Sequence, residues 1–400
     1  MSTCTIPIIS YWTLFSVFFK LGCVSFGGPA AHLVFFHRTL VQQHKWLTHE
    51  DYTKFMALSQ CLPGPTSSQV GIAIGLHLKG YMGAFISWLG FTLPSALVMA
   101  CIAVFGLQFL QHFNAEFFHV IHLSVIAVVA WAFWQMLRSF CQGIAQYSLM
   151  LFVAVFVYLL PTPSDQLLAL VIAAVLSLAY ALLQKNHQDV TSTTATHQPS
   201  YAYIWLVIFA GLLFTLPILA TTYPNTALIA FEKLYSNASL VFGGGHVILP
   251  LLHHDLVSTD LISQPLFDLG YAMAQLMPGP LFSFGTYLGT ALGLTSSHIL
   301  NAVLGTIAIF LPAFLLIFGA LPYWQRLMQN RYFMLTLTGL NAAVVGLLLS
   351  LVLQMGTQHV LTVLDAVFVI LVVALLASKI PTWLSLIASF TAYYCYLTLL

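Results

Sequence analysis

Four breaks in apolar segments are the residues of this sequence best placed to do chemistry. Gly27-Gly28-Pro29 and Pro63-Gly64-Pro65 interrupt two such segments near their middles, and Gly243-Gly244-Gly245 and Pro278-Gly279-Pro280 interrupt two more. Proline removes a backbone donor and breaks the helical ladder, while glycine permits positive φ. A helix that restarts after a break points unpaired N–H groups and the positive end of its dipole at whatever lies before it. That is how backbone builds an anion site. One dipole contributes only about 0.3–1 kcal/mol when exposed and up to ~2 kcal/mol when partly buried, so several ends must converge. A single proline such as Pro217 reads as a packing kink; four breaks at paired places read as a pathway.

The side chains around the breaks extend this reading. The helix opened by Pro65 begins Thr66, Ser67, Ser68, Gln69, whose hydroxyl, amide and N–H groups can replace the water shell of an oxyanion or simply cap the helix. The matching start after Pro280 runs Leu281, Phe282, Ser283, Phe284, so the first half is expected to supply more donors. Gln60 and Gln275 each stand three residues before a Pro-Gly-Pro, where they serve either as anion donors or as glue between helices. Lys20 lies inside an apolar run, as a partner for substrate or as a chain snorkelling to the interface. Arg38 and Lys45 read as a basic mouth, and His32 and His246 as polar lining after the glycine breaks.

Other chemistries find little support. His119 with His122, and His253 with His254, lack the carboxylate or cysteine set that would complete a tetrahedral metal site. The six cysteines form no CxxC pair and read as small apolar residues, and no cofactor is implied. A membrane enzyme would need a nucleophile and base or a metal cluster at membrane depth, and neither is present. Carboxylates are scarce, Asp365 being the clearest one within a span. A dianion leaving a cell that is negative inside needs no proton: 100 mV supplies roughly 4.6 kcal/mol for two charges.

The elements that must position these groups are membrane helices. Of 400 residues only 5% are charged and 60% are hydrophobic, with a mean hydropathy of +0.95. So few charges cannot coat a water-facing surface, which excludes a soluble enzyme and a disordered chain. The net charge of +1 gives no attraction to nucleic acid. The first ten residues carry no Lys or Arg and no clear cleavage site follows, so the first apolar stretch reads as retained structure. Thirteen apolar stretches follow one another, mostly of about 17–25 residues and without strand alternation. A polar linker at 184–200 separates them six and seven.

The two halves repeat. Phe26-Gly27-Gly28 recurs as Phe242-Gly243-Gly244, Gln60 and Pro63-Gly64-Pro65 as Gln275 and Pro278-Gly279-Pro280, Leu93-Pro94 as Leu311-Pro312, and Ala127-Val128-Val129 as Ala343-Val344-Val345. An ordered series at nearly constant offset indicates duplication. The organisation is a first repeat at 1–183, the linker, a connecting helix at 201–222 and a second repeat at 223–400, inverted because one odd crossing separates two even units. If the first two stretches of each half dip in and return, ten Lys and Arg share one side and only Lys233 opposes them, as the positive-inside bias requires; Asp255, Asp260 and Asp268 then form an acidic outer loop. Thirteen full crossings remain the rival. The expected fold is an all-α polytopic membrane protein with an inverted-topology internal repeat and broken, re-entrant helices.

These residues also carry a family resemblance. Phe19-Lys20-Leu21-Gly22, Ser25 through Pro29, His32, Trp46-Leu47, Gln60 through Pro65, Ser67 through Gly75 and Gly90 through Ala96 resemble the first-half signature of the chromate ion transporter (CHR) family. Val241 through Val247, Leu249 through Leu252 and Ala274 through Phe282 resemble its paired second half, so the chain is similar to the long, two-domain form. The resemblance implies chromate efflux conferring chromate resistance across the plasma (inner) membrane, with sulfate as the isosteric competitor; a permease for sulfate or another oxyanion is the alternative. The bilayer is the surrounding partner, and a homodimer is compatible with this reading. Two positions depart from the family pattern: Gln43-His44-Lys45 is thin for the basic cluster before Trp46, and Val34 stands where glycine is common.

Overall fold

The computed structural model describes residues 9–26, 28–109, 114–160, 163–183, 201–241, 248–324, 330–378 and 380–399. Gly27, the linker 184–200, Gly243-Gly244-Gly245 with His246, Arg326 and Lys379 lie outside the described residues. Among those described, all regular structure is helical. Five helical segments are long and apolar enough to cross a bilayer: Thr66–Gly106, Ala115–Phe140, Tyr203–Thr222, His298–Tyr323 and Arg331–His359. Large apolar side chains such as Trp12, Phe214 and Ile370 face outward. In water this would be costly; against acyl chains it costs nothing. The chain is an all-α polytopic membrane protein.

The first two apolar stretches are each broken into two short helices. The pieces are α1 (Tyr11–Val24), α2 (Gly28–Phe36, running on as wide π-type turns over His37–Gln43) and α3 (His49–Cys61), then α4 (Thr66–Phe109). α4 turns sharply at Lys79 and Gly80, where Gly80 has φ +65°, so it consists of a short limb, 66–78, and a long limb, 81–109. The limbs fold back on each other as closely as backbones can. A Cβ on Gly75 would strike the Gly83 carbonyl, and Ser87 Oγ donates to Gly71 O at 2.9 Å.

Side-chain pairings give the direction of each piece. α1 starts with Tyr11 under the Lys79 ammonium, 5.4 Å from the ring centroid, and its Gly22 sits against the Phe91 carbonyl, so it runs alongside the long limb. α2 returns along the short limb: His32 bonds Ser67, and Phe36 lies against Gly71. α3 runs back again, with His49 beside His37 and Tyr52 Oη donating to Leu33 O at 2.6 Å. α1 with α2, and α3 with the short limb, are therefore two helical hairpins that start from the Lys79 end and have their tips at Ser25–Gly28 and Leu62–Pro65. Pieces of 9 to 14 residues span only about 14–21 Å, less than the roughly 30 Å of bilayer hydrocarbon.

The second half repeats this plan. After the outer helices α5 (Ala115–Phe140), α6 (Ile144–Leu159), α7 (Pro163–Leu183) and α8 (Tyr203–Thr222) come α9 (Thr226–Leu240) and α10 (Ile248–Leu256). They are joined across their stems by Asn237 Nδ2 donating to Asp255 Oδ2 at 2.9 Å. α11 (Gln264–Leu276) then pairs with α12 (Phe284–Ala291) through Tyr287 Oη and Leu266 O, 2.8 Å. α12 folds against α13 (His298–Ala320) at Gly289 and Gly305. The long limb of α4 and α13 cross antiparallel: Tyr81 meets Phe318 and Trp88 meets Phe310, with ring centroids 4.8 and 5.5 Å apart. The Lys79 corner thus lies at the opposite end from the Gly293 corner and His298. α14 (Arg331–His359), α15 (Val363–Leu376) and α16 (Thr382–Leu399) complete the chain, with Gly346 of α14 pressed on the Met150 carbonyl of α6.

One region expected outside is inside. Asp268 does not belong to an acidic loop: Ser263 and Pro265 start α11 ahead of it, and the carboxyl group is fully buried. Asp255 is also buried, on α10 between Asn237 and Lys233.

Single cysteines introduced at Thr48 and at Gly80, with the native cysteines replaced, will react with an impermeant maleimide from the same side of the membrane, and one at Ser296 from the other side. Labelling of Thr48→Cys and Gly80→Cys from opposite sides would contradict the hairpin arrangement.

Candidate functional site

The hairpin tips meet one another, and each completes the broken backbone of the other half. Gly64 N–H donates to Val241 O at 2.6 Å, and Gly279 N–H donates to Ser25 O at 2.9 Å. Ser25 and Val241 precede corresponding glycine breaks, and Gly64 and Gly279 are the centres of the two Pro-Gly-Pro turns. The contacts are reciprocal, as a two-fold relation produces. The same exchange holds for packing: a Cβ on Gly64 would approach Ala313 behind Pro312, and one on Gly279 would press on Ser95 behind Pro94. Both glycines adopt positive φ, +120° and +97°.

Within the first half the tip is fastened by two side chains. His32, 1% exposed, donates from Nε2 to Ser25 O at 3.1 Å, and its Nδ1 pairs with Ser67 Oγ at 3.1 Å. Gln69 Nε2 donates to Pro63 O at 2.6 Å and fills the space above Gly64. The donors of Ser67 and Gln69 are thus spent on the turn itself. Ser25 Oγ and Ser68 Oγ are buried with no hydrogen-bond partner. Gln69 N–H makes the first helical bond, to Pro65 O, and the three N–H groups before it have no partner within the helix.

A cavity of about 370 Å³ opens beside these N–H groups, lined by Gly28, Pro29, Gln60, Thr66 and Gln275 and, on its far wall, by Trp131, Gln135 and Ser139 of α5. Both glutamines that precede the Pro-Gly-Pro turns therefore reach one space. A second, apolar cavity of about 210 Å³, with Phe117, Ile121 and Tyr271 in its wall, continues from the first. Val128, Gln275 and Leu386 border both. Along α5 the two cavities run from Ser139 to Phe117, about 33 Å at 1.5 Å per residue and close to the hydrocarbon thickness of a bilayer.

The remaining expected residues fall elsewhere. Lys20 is exposed on α1 and is not among the lining residues. Pro63, Pro65 and Pro280 are buried in the turns, Pro278 is half-buried, and Ser283 is buried in a 3₁₀ turn, Leu281–Ser283, that replaces the direct helix start of the first half. Gly27, Gly243, Gly244, Gly245 and His246 lie outside the described residues. Three polar residues not singled out beforehand, Gln135, Ser139 and Thr382, line the cavity. Gln135 carried a readable signal as a lone amide inside an apolar helix. The histidines also gain carboxylates that adjacent sequence does not show: His119 Nε2 lies 2.9 Å from Asp365, and His122 Nε2 lies 2.8 Å from Asp268. Among the described residues no three His, Cys, Asp or Glu side chains are placed to hold a metal ion.

The profile of the chromate transporter family matches residues 12–180 and again 228–394. The chain belongs to the chromate transporter family. A chromate transport protein of Pseudomonas aeruginosa is 28% identical over 353 residues, 86% of this chain and 80% of that protein. One of Cupriavidus metallidurans is 25% identical over 384 residues, 93% and 89% of the two chains. An uncharacterized transporter of Methanocaldococcus jannaschii is 24% identical over 347 residues, covering 85% and 83%. No solved structure matches. The two matched regions of the family profile begin 216 residues apart, the offset that separates Ser25 from Val241.

Alanine at Gly64 or at Gly279 will lower the thermal stability of the detergent-solubilised protein, each by at least the roughly 1–2 kcal/mol of a left-handed residue and more because the added Cβ crowds Gln69 or Ser95. Alanine at Gly293, which has φ +61° but open space around it, will cost only the conformational part. Equal melting temperatures for all three variants would contradict the packed-tip geometry.

Proposed function

We propose that this chain exports an oxyanion, chromate with sulfate as isosteric competitor, through the plasma (inner) membrane, and so confers chromate resistance. One observation carries the reading: a cavity beside the joined tips brings Thr66, the first residue of α4, and two carboxamide residues, Gln60 and Gln275, to a single space. Donors without carbonyl-rich lining suit an anion. Among the described residues no Lys or Arg lines the cavity, so the guest is held by neutral donors, tightly enough to lose its water and weakly enough to leave. The names of the relatives supply chromate as the first substrate to test.

Membrane placement follows from helix lengths. Gly80 to Ser95 on the long limb, and His298 to Ala313 on α13, are each 15 residues, about 22 Å. Ser95 and Ala313 both touch the tips, so the tips lie about 22 Å from either end, and the two distances together match the 40–45 Å of a whole bilayer. We place the tips at the midplane, with the halves as inverted repeats and their hairpins entering from opposite faces. The antiparallel crossing of α4 and α13 supports this. The Lys79 end, with Arg38, Lys45 and Lys54, is assigned to the cytoplasm by the positive-inside bias. The first cavity then receives substrate from inside, and at 100 mV the potential contributes roughly 4.6 kcal/mol to expelling a dianion. The reading includes Gly28 as a wall of the same site.

Radiolabelled chromate will accumulate in inverted vesicles when an inside-positive potential is imposed, and unlabelled sulfate will reduce the uptake. Gln275→Leu and Thr66→Val will each lower the flux by tenfold or more while the protein inserts normally. Flux of sulfate but not chromate would assign a sulfate permease; movement of neither would remove the oxyanion reading.

A further inference from the structure

A second polar cavity lies at the other end of the molecule. It has a volume of about 420 Å³ and is lined by His253, His254, Ser258, Gln354, Thr357 and Gln358. It also touches Leu351 and Met355, which stand 216 positions after Gln135 and Ser139 of the first cavity. The second half thus has its own vestibule, built on α10 and α14 where the first is built on α2 and α5. The linings differ in kind: the first offers carboxamides and a hydroxyl, whereas the second adds imidazoles, which can become cationic.

Behind those imidazoles sits a buried acid. Asp268 is fully buried, and its carboxylate approaches His122 Nε2 at 2.8 Å. His122 stacks on His359 with ring centroids 4.3 Å apart, and His359 Nε2 lies 2.7 Å from the Gln264 amide. His253 lines the cavity, and its Nε2 is buried with no hydrogen-bond partner. α5, α11 and α14 thus bring His122 against the Asp268 carboxylate and His359 against His122, and α10 places His253 in the wall of the adjoining cavity. The surrounding groups are already engaged. Asp365 is held by His119, Tyr393 and Thr362, Asp255 by Asn237 and Lys233, and Glu232 by Ser236 and Lys233. Tyr271 of α11 and Tyr287 of α12 are buried phenols. A lone buried carboxylate is strongly unfavourable in a low dielectric, and one proton shared with its histidines neutralises it. A second proton makes the cluster cationic, and an anion in the adjoining cavity is then its natural counter-charge.

We propose that His122, Asp268, His253 and His359 form a proton-binding site, and that the adjoining cavity is a second oxyanion site filled only when that proton is bound. The proposal rests on the oxyanion reading above and adds a release step. The oxyanion is retained at the far end while the proton stays, and leaves when the proton is lost to solvent. By linkage, the oxyanion strengthens proton binding as much as the proton strengthens oxyanion binding.

Sulfate, whose charge is constant over the range used, is the probe. Equilibrium binding of labelled sulfate to the purified full-length chain will show two sites at pH 5.5 and one at pH 8, the second weakening about tenfold per pH unit as one linked proton requires. Calorimetry in buffers of different ionisation enthalpy will show uptake of about one proton on filling it. Asp268→Asn and His253→Gln will each remove the proton uptake and leave the pH-independent site. Should either variant fail to fold, His359→Gln and the wild-type titration decide. The same stoichiometry at both pH values with no proton uptake would overturn the proton-linked site and leave the first cavity standing. No sulfate or chromate binding at any pH would overturn both.

Discussion

The structure depends on mutual completion of broken backbone. In the middle of a bilayer an unpaired N–H or C=O costs several kcal/mol, and an ordinary helix avoids that cost by pairing every group internally. This chain breaks its helices at four places and cannot pair the ends within each half. Gly64 and Gly279 find their acceptors, Val241 and Ser25, in the other half. Each half is therefore a poor membrane protein alone, and the two together leave few groups unpaired. The same bonds limit motion. Parting the tips would expose all four ends at once, so a transport cycle is more readily carried by α5, α14 and α16, which form the cavity walls and give no backbone bond to the tips.

The tips also explain how an anion site can exist with so little charge. Fixed cations in hydrocarbon are expensive, and they would hold a dianion too well to release it. Helix starts and carboxamides are neutral, permanently oriented and cheap to bury once their backbone is satisfied. Arg38, Lys45 and Lys54 stand with the Lys79 end, where basic side chains raise the local anion concentration, and do not line the cavity. Lys20, exposed on α1, belongs with that group more than with the cavity.

Much of this was legible in sequence because the signals are local. Glycine and proline break helices wherever they stand, so the four breaks, the thirteen apolar stretches and their repeat could be read from spacing alone. Orientation could not. Thr66, Ser67, Ser68 and Gln69 look equivalent as a string, but successive helical residues point about 100° apart, and only Thr66 lines the cavity while Ser67 and Gln69 bind the turn. Distance in sequence hid the rest. His119 and Asp365 are 246 residues apart, and each looks like an isolated polar residue in its own apolar helix. Asp268 read as a loop residue because Ser263, Gln264 and Pro265 precede it, although a serine followed by proline is also how a helix begins.

Duplication copies constraints unequally. The need for a backbone partner acts on both copies, and both keep Pro-Gly-Pro, the positive-φ glycine and the small residue behind the opposing helix proline. The side chains that meet a guest are under no such symmetry. The first restart is Thr-Ser-Ser-Gln and helical at once; the second is Leu-Phe-Ser behind a 3₁₀ turn. The polar residues proposed to meet the substrate therefore come mainly from the first half, with Gln275 as the second half's contribution. A carrier with its site on the axis can have equivalent inward and outward forms. Here exchanging the roles of the halves would place Leu281 and Phe282 where Thr66 and Ser67 now stand, so the two forms differ in energy and in what they hold. On the proposed reading, that inequality is what would distinguish the two directions of a fold whose backbone repeats.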